Sequence, residues 1–260
     1  MPELPDVEGF RRFLQRNAAR RVIEQVEVRD EWILRSVSAR ALQTEVQGKR
    51  LTSTSRYGKY LFAALEPKGF LAFHFGMTGH FQVYRRQERE PRYNRVILHL
   101  DNGKRIAFNC RRRLGSIRYL QDPESFIEKQ KLGPDALRVD FETYLEVLRH
   151  KKGGVKCVLM DQSVLSGIGN IYADEILFNA RIHPRRAVAA MDDRQKRLLF
   201  DAIRRVLKTA VDRNADESRF PRTYMVHHRR KGGACPRCGS PLETLSACGR
   251  TAYFCPREQT

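Results

Sequence analysis

The sequence has no uninterrupted apolar run long enough to cross a bilayer. Its start, Met1-Pro2-Glu3, lacks the charged-then-apolar order of a secretory signal. No internal repeat or low-complexity tract interrupts the 260 residues. Acidic residues are the scarce charge: 30 Asp+Glu stand against 49 Lys+Arg, which leaves a net charge of +19. These absences lead to the expectation of an intracellular, cytoplasmic protein without membrane association. The excess positive charge is spread over the whole chain instead of one amphipathic helix, which argues against an anionic membrane surface. A polyanion, nucleic acid above all, is the natural partner, and basicity for solubility alone is the plainer alternative.

What is present is an ordinary globular composition, 41% hydrophobic and 30% charged, and long enough for more than one domain. Pro5, Asp6 and Glu8 suit the first turn of a helix continued by Val7, Phe10, Phe13 and Leu14. From Val22 the period changes to two, with Val22, Glu24, Val26 and Val28 on one side of a strand and Ile23 and Gln25 on the other. Strand-like runs recur at 51–55, 60–65, 71–75, 81–84, 95–100 and 105–109, the last two joined by the turn Asp101-Asn102-Gly103. Beyond Pro123 the pattern turns helical. One helix is expected over 141–149. Another opens at the capping box Asp192–Gln195, with an apolar face of Leu198, Leu199, Ala202, Ile203, Val206, Leu207 and Ala210. The expected class is α+β and multidomain: an N-terminal β-sandwich with a flanking helix over 1–130, a helical domain over 131–225, and a small cysteine-bearing hairpin over 226–260.

Four of the six cysteines, Cys235, Cys238, Cys248 and Cys255, crowd into the last 26 residues. In a reducing cytosol that clustering points to metal and not to disulfides, and Cys235-Pro236-Arg237-Cys238 has the spacing of a zinc knuckle. At the other end, removal of Met1 before the small Pro2 would leave a free secondary amine. An α-amine titrates near neutrality, so an uncharged nucleophilic fraction exists at pH 7. Attack on a sugar C1′ would displace a base and form an iminium. Glu3, the next residue, is placed for proton transfer. Taken alone, Pro2-Glu3 is equally a chain start followed by a helix cap.

Five ordered motifs decide between those readings. The start Pro2-Glu3-Leu4-Pro5-Asp6-Val7-Glu8 resembles that of the formamidopyrimidine-DNA glycosylase and endonuclease VIII family. Arg56-Tyr57-Gly58-Lys59 resembles its hairpin lysine motif, and His74-Phe75-Gly76-Met77-Thr78-Gly79 its base-stack insertion loop. The run from Gly167 to Glu175 resembles its helix–two-turn–helix element, and the C-terminus its zinc finger. The resemblance implies a bifunctional DNA glycosylase and AP lyase of base-excision repair. Such an enzyme works in the bacterial cytosol or nucleoid on damaged duplex DNA, as a monomer. It implies Pro2 as nucleophile, Glu3 as the group protonating the opening deoxyribose, and Lys59 at the phosphate beside the lesion. It further implies DNA contacts from His74, Met77, Arg113, Leu114, Asn170 and Arg250, with Met77 as wedge and Arg113 at the orphaned base. The backbone amides at the Asn170 helix start are expected to bind phosphate, the glycines before them admitting the DNA backbone.

The chain departs from the family's pattern at four places. Leu114 stands for the usual Phe. Glu258 stands where the fourth cysteine is expected after Cys255, so zinc held by Cys235, Cys238, Cys255 and Glu258, zinc using Cys248, and a metal-free hairpin all remain open. Asp6 replaces the usual Glu. The segment between Phe220 and His227 is short, which leads to an expectation of poor activity on 8-oxoguanine. A non-catalytic nucleic-acid-binding zinc protein is the alternative function, and it has no use for a free terminal amine.

Overall fold

The computed structural model describes all 260 residues, in two compact units. The first comprises Met1–Pro2 and Asp6–Gln130, and the second Glu3–Pro5 and Lys131–Thr260. Helix α1, Leu4–Ala18, is followed by strand β1, Arg21–Val28, and helix α2, Ala39–Val46. Seven more strands complete the first unit: β2 (Arg50–Tyr57), β3 (Tyr60–Glu66), β4 (Phe70–His74), β5 (Gly79–Arg85), β6 (Asn94–Leu100), β7 (Lys104–Cys110) and β8 (Ser116–Leu120), with helix α3 (Pro123–Lys129) after them. The strands run in the order β5-β7-β6-β1-β2-β3-β4-β8, every pairing antiparallel.

Strand β1 belongs to both layers of the sandwich. Arg21 and Val22 pair with β2, while Ile23 to Val28 pair with β6. The change of partner is made at a bulge between Ile23 and Gln25, and it shifts the period-two pattern read from the sequence. Ile23 and Val26 therefore both face the core, whereas Glu24 and Gln25 are exposed. Aromatic rings from both layers fill the space between them. Phe73 of β4 meets Phe81 of β5 at 5.1 Å and Phe108 of β7 at 5.9 Å, and Phe10 of α1 lies 4.4 Å from Phe75.

The second unit holds helices α4 (Phe141–Leu148), α5 (Val155–Met160), α6 (Asn170–Ala180) and α7 (Asp193–Asp212), then strands β9 (Glu243–Ala247) and β10 (Arg250–Phe254). The Asp192 side chain caps α7, and Gln195 returns the bond to the cap backbone, as the sequence pattern predicts. Leu199, Ala202, Ile203, Val206, Leu207 and Ala210 are buried along one stripe, but Leu198, assigned to that face from spacing, is 45% exposed at its edge. Helix α6 is buried nearly all round, and two of its buried side chains are Asp174 and Glu175. Both acids hold neighbouring segments. Glu175 accepts hydrogen bonds from the Met225 and Val226 amides at 3.2 and 2.8 Å.

Candidate active site and DNA-facing loops

Glu3 is only 2% exposed, and its carboxylate is fully engaged within the second unit. Oε2 accepts from the Gly169 N–H at 2.7 Å and the Tyr172 N–H at 3.3 Å, and Oε1 from the Ile171 N–H at 2.9 Å. The carboxylate thus caps α6 at its positive end, where an anion is stabilised by both the unpaired amides and the helix dipole. A Cβ on Gly169 would lie 2.4 Å from the Glu3 Cδ, so this glycine makes room for Glu3. The expectation that these amides receive a DNA phosphate is corrected accordingly: a side chain of the same molecule already occupies them. What remains at the helix start is the half-buried Asn170 side chain, whose Oδ1 has no hydrogen-bond partner. Pro2 precedes Glu3 and is half-buried.

In the first unit, Lys59 occupies the two-residue turn between β2 and β3, after Gly58 at φ +53°. Lys59 is 8% exposed. The Arg56 guanidinium braces the turn, donating to the Gly58 carbonyl at 3.0 Å and lying 3.6 Å from the Glu8 carboxylate. His74 ends β4. Burial, with smaller contributions from Lys59 and Arg118, pushes its imidazole down to about 4, so the ring is neutral at pH 7. Its Nδ1 accepts the Gly76 N–H at 3.3 Å, which leaves the proton on Nε2 as a donor.

Two loops of that unit interlock. The Arg112 N–H donates to Thr78 Oγ1 at 3.1 Å, and a Cβ on Gly76 (φ +56°) would strike the Leu114 carbonyl at 2.4 Å. Met77 and Leu114, the two wedge residues expected from the sequence, are 37% and 51% exposed on these paired loops. Arg113, the residue before Leu114, is in a left-handed conformation, φ +56°, and Asp30 holds its guanidinium at 2.7 and 2.8 Å. Arg95 adds a third contact to Asp30 at 3.2 Å and donates to the Cys110 carbonyl at 3.0 Å. Arg113 above all, then the Trp32 amide and the coulombic pull of Arg95, hold Asp30 below the usual carboxylate range against the cost of its burial. Sequence reasoning missed Asp30, Arg95 and Trp32, because a clamp spanning 83 residues has no local signature.

The hairpin of β9 and β10 turns at Cys248-Gly249, both at positive φ, and presents the exposed Arg250 directly after it. Cys248 forms a disulfide with Cys157 of α5. That removes it as a metal ligand and corrects the reading that metal alone explains the cysteines. The adjacent Lys156, fully buried, lies 2.6 Å from Asp174 and donates to the Thr251 carbonyl at 3.1 Å. Asp174 also takes Arg229 at 2.8 Å and the Tyr253 amide at 3.3 Å. One buried carboxylate of α6 therefore ties down β10.

Cys235, Cys238 and Cys255 have sulfurs within 4.8 Å of one another. Bonds of about 2.3 Å around one tetrahedral zinc require sulfurs roughly 3.8 Å apart, so the three thiols fit the ion. Glu258 is not among them. Its carboxylate faces Arg181 at 3.6 Å and Arg237 at 3.9 Å, two cations that compete with any metal for it, and the expectation of a Glu258 ligand is corrected. Ser240 is there instead, with Oγ 2.9 Å from the Cys238 sulfur and 3.3 Å from that of Cys255.

Glu3 is anchored to a helix start 166 residues further along the chain. The class is defined by the family models that run along the chain: a DNA glycosylase that also nicks the strand. Residues 1–117 match the formamidopyrimidine-DNA glycosylase N-terminal domain, 132–222 the H2TH domain of the same enzymes, and 226–260 a double zinc ribbon. A formamidopyrimidine-DNA glycosylase of Heliobacterium modesticaldum is 34% identical over the whole of both chains. One of Arabidopsis thaliana is 34% identical over all of this chain and 71% of its own. Among solved structures, a Lactococcus lactis Fpg mutant with Fapy-dG-containing DNA superposes with a TM-score of 0.90 at 27% identity, covering 99% of each chain. The Lactococcus lactis Fpg complex with abasic-site DNA also gives 0.90, at 25% identity over 99% of each chain. The chain belongs to the formamidopyrimidine-DNA glycosylase family, and it is a DNA glycosylase with AP lyase activity of base-excision repair.

Proposed function

We propose that Pro2, freed of Met1, is the nucleophile, and that the enzyme favours abasic sites, ring-opened purines and oxidised pyrimidines over 8-oxoguanine. The observation that carries the first part is the buried Glu3 carboxylate, fixed by three N–H groups one residue beyond the amine. Those donors favour its ionised form. As the Pro2 nitrogen bonds to C1′ it loses a proton, and the base leaves with the electrons of the glycosidic bond and takes up a proton from solvent water. Glu3 receives the amine proton and returns it to O4′ when the C1′–O4′ bond breaks and the C1′=N iminium forms. Loss of a C2′ proton then expels the 3′ phosphate, and a second elimination expels the 5′ phosphate. Lys59, His74 through Nε2–H, Asn170 and Arg250 bind the backbone, while Met77, Leu114 and Arg113 fill and read the space the flipped base leaves.

The lesion preference rests on the short segment after Phe220. Tyr224 and Met225 are 5% and 0% exposed, and the Tyr224 hydroxyl is bonded to Thr209. Glu175 ties down the Met225 and Val226 amides, and Tyr224 N–H closes a turn on Pro221 at 2.9 Å. Only Arg222 and Thr223 are left to cover a flipped base, and a bicyclic lesion desolvated without partners is costly. In the cysteine module we infer a structural zinc that the Cys235, Cys238 and Cys255 thiolates would hold, with Ser240 Oγ beside two of the sulfurs. The zinc would fix the fold of the hairpin and takes no part in the chemistry.

Borohydride trapping on abasic DNA tests the nucleophile. Mature wild type forms the covalent adduct. Trapping of equal efficiency by Pro2→Gly, or by protein retaining Met1, would show the assignment to be wrong, and absence of trapping in the wild type would favour a non-catalytic binder. Single-turnover excision of 8-oxoguanine opposite cytosine as fast as dihydrouracil would refute the lesion preference.

A further inference from the structure

The chain has one tryptophan, Trp32, and 65% of it is exposed. An indole is among the costliest side chains to leave in water, and here nothing in its own unit covers it. Its position is built with some care. Trp32 lies in a 3-10 turn, Glu31–Ile33, whose cap is Asp30 and whose next residue, Ile33, is fully buried as an anchor. Asp30 Oδ1 accepts the Trp32 N–H at 3.1 Å and, on the same oxygen, Arg113 Nη2 at 2.8 Å. Arg35 donates to the Trp32 carbonyl, and its own N–H pairs with the Ile117 carbonyl at 2.9 Å, which fixes the segment alongside the strand that follows Leu114. One carboxylate therefore sets the placement of both the exposed indole and the Arg113 guanidinium.

We propose that Trp32 stacks on a base of the undamaged strand beside the orphaned base that Arg113 addresses, and so helps to hold that strand. This rests on the DNA-facing role given to Arg113 above. The surroundings suit a nucleic acid strand: Arg35, Arg95, Arg112 and Arg113 bring positive charge to the same node, and an indole face binds any base without sequence readout. Leu114 makes the contact consequential. An aliphatic wedge fills space but has no π-face, and Trp32 supplies an aromatic surface nearby in the chain's own architecture.

Because Trp32 is the sole tryptophan, fluorescence excited at the red edge of the indole band, where tyrosine does not absorb, reports it alone. Wild type is titrated with a duplex carrying a tetrahydrofuran abasic analogue, and complex formation is followed in parallel by anisotropy of a label on the DNA end. Quenching is expected to track binding. It is expected to vanish when the base beside the orphaned one, on the undamaged strand, is replaced by an abasic spacer. Trp32→Ala should weaken binding roughly ten- to hundredfold, the range for one base–aromatic stack, with Trp32→Phe within a few-fold of wild type and melting temperatures unchanged. Fluorescence that stays constant while anisotropy shows saturation overturns the proposal, as does binding by Trp32→Ala within twofold of wild type. Borohydride trapping is run on the same samples. Trapping retained with silent fluorescence overturns the Trp32 contact alone, while wild type that does not trap overturns the catalytic reading and this one with it.

Discussion

Replacing Glu3 by Gln removes one acceptor from a buried group that serves three donors. The least costly rotamer keeps the amide oxygen where Oε2 accepts Gly169 and Tyr172, and turns the NH2 toward the Ile171 N–H, so one bond of 2.9 Å becomes a donor–donor contact. A hydrogen bond to a charged group contributes about 1.5–3 kcal/mol, and the two retained bonds weaken to neutral strength. The expected loss is about 3 kcal/mol, or roughly 6–12 °C in the transition that melts α6, from the usual 2–4 °C per kcal/mol in domains of this size. Glu3→Gln should therefore be both slower at base excision and thermally weaker. Differential scanning calorimetry gives the transition, and affinity for a tetrahydrofuran duplex well below it separates folding from chemistry. Melting within 1 °C of wild type would refute the capping role. Excision at the wild-type rate would remove Glu3 from proton transfer.

Three further outcomes are expected. The first unit should lose stability as pH falls from 6.5 to about 4, because the unfolded His74 takes up a proton from pH 6.5 downward and the folded one only near 4; the loss approaches about 3 kcal/mol, and denaturant midpoints against pH for wild type and His74→Gln should differ in slope within that window only. Reduction of Cys157–Cys248, which closes a separation of 91 residues, should destabilise the second unit by about 4–5 kcal/mol, read as a lowered melting temperature in dithiothreitol that Cys157→Ser/Cys248→Ser reproduces without reductant. Binding to undamaged duplex should weaken steeply with salt, and Arg250→Ala should lower the log–log slope by about one; an affinity independent of salt would contradict the phosphate contacts.

Much of the fold is legible wherever the instruction is local. The capping box at Asp192, the turn at Asp101-Asn102-Gly103 and the strand-like runs of β6 and β7 lie within a few residues of their own effects. The β1 bulge is not legible, because it answers to a change of partner strand that periodicity cannot express. The site divides along the same line. Pro2, Lys59, Met77 and Arg113 stand in contiguous motifs, so the sequence alone can propose them. The Asp30–Arg113 clamp, the Asp174 node, the Cys157–Cys248 bond and the exclusion of Glu258 all depend on side chains brought together from distant positions.

Glu3 is synthesised long before the amides that bind it, which lie 166 to 169 residues behind. At roughly 5–20 residues per second, it spends on the order of 10–30 s without them during synthesis. Residues 6–130 are complete by then and have their own core, so the sheet can form first. A chain cut short before Gly169 would carry the sandwich, but nothing to fix the Glu3 carboxylate. Under the proton-transfer role proposed for Glu3, an incomplete chain therefore has that carboxylate unfixed until Gly169, Ile171 and Tyr172 are made.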